Sequence, residues 1–215
     1  MNIHLAVERL NNQLPLKARQ DQLMTSLKKL HQLILMSLVQ RGKPPTHAEL
    51  AAQVGDVQVA AALQTLGAVD LIVLNQQGTA AVGAYPLTTE VTPHRLIIEN
   101  QSIYAMCALD AVAVAPMFAT TVTINSNCHV SGEPVQICMR EREMLSVQPA
   151  GVMVGIRWQK PHGFAAHNMC TEMVFCKDLV TARQWQGDEV ETISLFTLAE
   201  AIAFGQAFFA PLLNA

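Results

Sequence analysis

A thiol and a carboxylate stand three residues apart in Cys107-Ala108-Leu109-Asp110. On a helix that spacing puts both on one face about a turn apart, so the two can act on one ligand. The thiol would bind a soft electrophile and the carboxyl group would move a proton. Plainer readings stand beside this one. Free Cys is among the most buried residue types and often only fills space, and a buried carboxylate can be satisfied by backbone amides or an Arg. Asp110 is the harder of the two to dismiss. Its helical neighbours Ile103, Met106, Ala113 and Val114 are apolar, and an unpartnered carboxylate among them would cost free energy.

The elements that must position these residues are read from periodicity. Apolar residues recur at helical spacing from Leu23 to Val39, and Gly42, Pro44 and Pro45 stop the pattern. Thr46-His47-Ala48-Glu49 has the form of a capping box ahead of a short helix through Val54. Val57 to Leu66 gives a third helix, and Leu71–Leu74 with Ala80–Val82 gives a hairpin. This order is that of a winged-helix-like unit. Pro86 and Pro93 bound a mostly polar segment that reads as a linker, so a boundary is expected near residue 90, dividing 1–90 from 91–215.

In the second unit Ser102 to Ala115 reads as a helix ended by Pro116. Strands are expected at Thr120–Ile124, Val135–Cys138, Met144–Val147, Val152–Trp158, Thr171–Phe175 and Glu191–Leu195, with a helical turn at Thr181–Gln186. A second capping box, Thr197 to Glu200, starts a closing helix that ends near Pro211. The fold class expected is α+β: a winged-helix-like three-helix unit, then a mixed or antiparallel sheet with flanking helices.

With 215 residues, 51% hydrophobic and 14% charged, the chain has material for a real core. Its net charge of -3 offers no general pull on phosphate backbones. No Lys or Arg occurs from Pro44 to His94, which includes the would-be recognition helix and wing, so nucleic acid is not an expected partner. The apolar runs are too short or too interrupted to span a bilayer, and no export signal is visible at the start. Five cysteines, an odd set (Cys107, Cys128, Cys138, Cys170, Cys176), read as reduced thiols of a cytoplasmic protein. A zinc site built from Cys107, Cys128, Cys138 and Cys170, with His129 or His167 in reserve, is a rival. Against it, the sequence has no Cys-x-x-Cys pair and no His pair at helical spacing.

The run Ser102-Ile103-Tyr104-Ala105-Met106-Cys107-Ala108-Leu109-Asp110 closely resembles the active-site helix of the organomercurial lyase (alkylmercury lyase) family. Cys128 before Ser131-Gly132-Glu133-Pro134-Val135, then Gln148-Pro149-Ala150-Gly151, Asn168-Met169-Cys170 and Phe204-Gly205-Gln206 resemble the family in order and spacing, with Trp185 a further match. An ordered series is far more specific than any single motif. It covers roughly the last half of the chain, while residues 1–90 match only in architecture.

The resemblance implies that Cys107 and Cys170 are the mercury-binding thiols, that Asp110 handles the proton and that Cys128 is structural. Two thiolates suit a soft ion such as Hg(II). By donating to mercury they raise electron density on its carbon, which then accepts a proton from the carboxyl group. It implies an organomercury substrate, transient Hg(II) product held by Cys107, Cys170 and Asp110, no organic cofactor, and small thiols or a mercuric reductase as Hg(II) acceptor to a monomer or homodimer. The better-known members have Trp at Met106, and some have a second Cys at Thr171. Met106, Met153 and Met169 offer weak thioether contacts to mercury or fill core gaps. Cys176 lies six residues after Cys170 and shares its face if the strand runs unbroken. The alternative function is a mercury- or zinc-binding regulatory winged-helix protein without lyase activity.

Overall fold

A computed structural model describes residues 2–214 and begins with five helices: α1 (Ile3–Gln13), α2 (Leu16–Asp21), α3 (Thr25–Arg41), α4 (His47–Val54) and α5 (Val59–Ala68). The last three are those read from periodicity. Leu30, Ile34, Leu35 and Leu38 are fully buried on one face of α3. The capping box at α4 is present: the Glu49 amide donates to Thr46 Oγ1 at 3.3 Å and the Thr46 amide to Glu49 Oε2 at 2.7 Å. The helices α1 and α2 were not read from the sequence. Their polar composition leaves only Ala6, Leu10, Leu16 and Gln20 buried, a signal too sparse to stand out.

Strands β1 (Ile72–Leu74), β2 (Ala81–Ala84), β3 (Leu87–Thr88), β4 (His94–Ile98) and β5 (Gln101–Ala105) follow, then α6 (Ala108–Phe118), β6 (Thr121–Asn127), β7 (Pro134–Arg140) and β8 (Glu143–Gln148). These strands form one sheet in the order β1-β2-β3-β5-β4-β6-β7-β8. Next come β9 (Met153–Arg157), β10 (Met173–Cys176), α7 (Leu179–Gln186), β11 (Ile193–Thr197) and α8 (Leu198–Phe209), whose strands form a second sheet, β10-β9-β11. Every paired neighbour among the described residues is antiparallel. The fold is α+β, and the sheet expected as mixed or antiparallel is antiparallel.

Two expectations are corrected. The segment 86–93 is not a free linker: β3 pairs with β2 on one side and β5 on the other. Its threonines look loop-like but bind backbone, with Thr89 Oγ1 donating to the Val82 carbonyl at 2.9 Å and Thr92 Oγ1 to the Ala105 carbonyl at 2.6 Å. One sheet and one apolar cluster therefore run across residue 90. Nor is Ser102 to Ala115 one helix. Residues 101–105 are a strand paired with β4, and the helix starts only after Cys107.

The helix α6 is buried on every side from Ala108 to Met117, as expected for a helix that is apolar all round. It runs two residues past Pro116, and Ala119, at φ 50, ends it with its amide donating to the Ala115 carbonyl. On one side it packs against the sheet, where the alternation of β6 and β7 buries Val122, Ile124, Val135, Ile137 and Met139. On the other it meets α8 so closely that a Cβ at Gly205 would lie 2.8 Å from Ala113 Cβ and 3.2 Å from the Leu109 carbonyl. Gly205 thus sets how near α8 comes to the first turn of α6. The capping box that starts α8 is also present, with the Thr197 amide donating to Glu200 Oε2 at 2.8 Å.

Candidate active site

Cys107 sits at the junction of β5 and α6, in extended conformation, as the N-cap of the helix. Its sulfur accepts the Asp110 amide N–H at 3.3 Å, a bond that Ser, Thr, Asp or Asn usually makes at this position. The sulfur and the Asp110 carboxyl group therefore share the positive end of a helix. Sequence spacing places them on one helical face, whereas the fold brings them together as cap and first turn.

Cys170 arrives from the other side, on a short 3-10 turn (Cys170–Glu172) that leads into β10. The expected strand from Thr171 starts only at Met173, so Cys170 and Cys176 do not share a strand face; Cys176 is fully buried with Val174 and Ala182. Asn168 shapes the turn. Its side-chain amide donates to the carbonyls of His162 and Phe164 at 2.8 Å each, and its own carbonyl accepts Thr171 Oγ1 at 2.6 Å. Thr171 thus serves as a hydroxyl that holds the turn. Arg157 on β9 grips Glu172 at 2.9 Å.

A second anchor comes from the segment between α5 and β3. Tyr85 donates its hydroxyl to Asp70 Oδ1 at 2.8 Å, and Asp70 Oδ2 accepts the Ala165 amide at 3.2 Å. The Ala166 amide donates to the Tyr85 oxygen at 3.0 Å, and Arg19 of α2 lies 3.6 Å from Asp70. The carboxylate two residues beyond α5 is thereby tied to the loop that carries Cys170. Neither Asp70 nor Tyr85 was singled out from the sequence; the available signal was a lone acid within Gly67-Ala68-Val69-Asp70-Leu71-Ile72. Tyr85→Phe leaves the part-buried Ala166 amide and one Asp70 carboxylate oxygen without this partner. It is expected to cost about 1–3 kcal/mol of stability and to speed alkylation of Cys170 more than that of Cys107, as read by denaturant melts and peptide mass mapping.

The ligand atoms of Cys107, Asp110 and Cys170 lie within 4.8 Å of one another, all buried, and no other such group occurs among the described residues. The structure thus brings together the three residues singled out for chemistry and leaves out Cys128, Cys138 and Cys176, so the four-cysteine zinc site does not assemble. Burial pushes the Asp110 carboxyl up to about 7, although both thiols and the Cys107 amide favour the carboxylate. Asp110 Oδ2 has no hydrogen-bond partner. Burial raises the Cys107 thiol well above the usual range. At Cys170 the hydrogen bond with Cys107 pulls down, but burial and the carboxylates of Asp110 and Asp70 leave the thiol raised.

A cavity of about 610 Å³ reaches this cluster from the surface, with Cys170 and Met106 on its wall. Segment 88–93 forms one side of it, and His167 stands 3.6 Å from Glu90 at the rim. Deeper in, Val174, Phe175 and His94 line it; burial lowers His94 to about 4, so that ring is neutral. Met106 has room because it packs over Gly83, where a Cβ would meet its methyl at 2.7 Å. Cys128 also lines the cavity, outside the three-residue cluster. Burial raises its thiol, but the Ser131 hydroxyl and the amides of Ser131, Lys177 and Val130 outweigh it and leave a net lowering.

The sequence profile of the alkylmercury lyase family (MerB) matches residues 87–210. An alkylmercury lyase of Staphylococcus epidermidis is 29% identical over 174 residues, 80% of this chain and 78% of that protein. One from Bacillus cereus is 28% identical over 153 residues, 70% of this chain and 68% of that protein. The crystal structure of the mercury-bound form of MerB2 superposes with a TM-score of 0.77 at 19% identity, covering 93% of this chain and 98% of that one, which establishes the fold in common. With its strand-to-helix Cys107, its Asp110 and its Cys170 inside the matched span, this chain belongs to the alkylmercury lyase family.

Proposed function

We propose that this organomercurial lyase cleaves the carbon-mercury bond by protonolysis, with Cys107 and Cys170 binding mercury and Asp110 carrying the proton. The observation that supports this most is the closed group of two thiols and one raised carboxyl at the end of a cavity whose inner wall is uncharged. An organomercury compound that carries a displaceable ligand on mercury enters with its hydrocarbon group toward Met106, Val174 and Phe175. Cys170, already on the cavity wall, displaces the outgoing ligand on mercury and loses its proton to that ligand. Cys107 then adds, passing its proton to the Asp110 carboxylate. Two sulfurs on mercury enrich the carbon, which takes the proton from Asp110 as the carbon-mercury electron pair becomes the new C–H bond. Mercury stays Hg(II), and the sum is one hydrocarbon released and two thiol protons consumed.

Product Hg(II) then lies between the two sulfurs, next to Asp110, until a small thiol or a mercuric reductase reaches it by the same cavity. Such acceptors and five unpaired cysteines suit the reducing cytosol. None of these steps uses an organic cofactor. No helix among the described residues is long and apolar enough to cross a membrane. The direct test is headspace measurement of benzene from phenylmercury, or methane from methylmercury, with excess thiol present. Steady release over many turnovers is expected. Tight mercury binding with no hydrocarbon would recast the chain as a mercury-holding relative.

A further inference from the structure

A third sulfur borders the site. Met173, the first residue of β10, is buried, and its Sδ lies 3.6 Å from Cys107 Sγ in the geometry of an S–H donor to a thioether. It follows the Cys170 turn directly, so one short segment delivers both Cys170 and Met173 to the cluster. Its backbone is fixed by pairing with Ile156 on β9. The Cys107 sulfur thus has an amide donor from Asp110 on one side and a soft acceptor on another.

We infer that Met173 is a third, neutral sulfur ligand to the mercury held by Cys107 and Cys170. This rests on the proposed reading of that site. A thioether donates to a soft ion without bringing a proton to remove or another buried charge. It adds electron density to mercury while the carbon is being protonated, and being weaker than a thiolate it does not trap the product. Met often serves only as a flexible filler of gaps in a core, and in that case Leu, of similar volume, would replace it at little cost.

The test compares the parent protein with Met173→Leu after loading each with mercuric chloride. X-ray absorption at the mercury edge is expected to show three sulfurs in the parent and two in the variant. Transfer of Hg(II) to an excess of a dithiol chelator should be about tenfold faster from the variant. Retention of Hg(II) by the parent checks the underlying reading separately. Equal sulfur counts and equal transfer rates in both proteins would overturn the Met173 assignment alone. If Met173→Leu does not fold, selenomethionine-labelled parent supplies the same answer. Absorption at the selenium edge should then show mercury at bonding distance from one selenium, and its absence sinks the inference; labelled Met106→Leu retains that signal if Met173 is its source.

Discussion

Replacing Asp110 by Asn is expected to give a protein that still captures an organomercurial but releases hydrocarbon about 10²–10⁴-fold more slowly, the range that one positioned proton carrier supplies. Asn keeps the shape of the side chain, so both thiols remain in place. It can neither accept a proton from Cys107 nor give one to carbon, and no other acid stands in the cluster. The pH profile carries the same signature. With the carboxyl pushed up to about 7 by burial, free Asp110 is protonated below that pH and cannot take the thiol proton. Activity at limiting substrate should therefore rise as pH climbs through about 7 and then level. The Asn variant should lack that rise, and a profile with the same limb near 7 in both proteins would remove Asp110 from the mechanism.

Stability supplies a control that separates lost chemistry from lost fold. The folded carboxyl titrates at about 7 and the unfolded one near 3.8. Between those values the native state holds more protons, so stability falls as pH rises through that window and the full cost is present above it. A shift of this size corresponds to about 4 kcal/mol. Asn cannot ionise and escapes the cost. Denaturant melts should show Asp110→Asn more stable than the parent at pH 8, with the difference shrinking toward pH 5.

The same residues show how far the sequence could be read. Cys107 and Asp110 were legible as a pair because three residues bring two side chains together in a helix, and the N-cap geometry that actually joins them has the same span. The helix expected from Ser102 failed for a physical reason. Strand β5 lies inside the sheet, and its short apolar run, leading straight into a helix buried on all sides, mimics helical spacing. The segment 86–93 was misread because its threonines bind backbone carbonyls instead of water. Cys170 was reachable only through an ordered resemblance, since nothing local ties it to Cys107. Asp70, Tyr85 and Met173 owe their places to long-range contacts, and side chains like theirs are ordinary core residues in any window of sequence.

Cys107→Ser and Cys170→Ser should each lower hydrocarbon release by about 10³-fold or more, equivalent to ~4 kcal/mol of transition-state stabilisation, because a serine oxygen is a poor donor to a soft ion. The two are expected to fail differently. Serine is a better N-cap than cysteine, so Cys107→Ser should keep its fold and its first turn. Cys170 lines the cavity while Cys107 does not; both thiols are raised, but burial lifts Cys107 well above the usual range. An incoming organomercurial therefore meets Cys170 first. Intact-mass measurement should find a long-lived organomercury adduct on Cys107→Ser that forms as fast as capture by the parent. On Cys170→Ser the adduct should form slowly, because the remaining thiol lies behind the cavity wall and burial holds it well above the usual range. Equal capture rates in the two variants would refute this order of attack while leaving the need for both sulfurs intact.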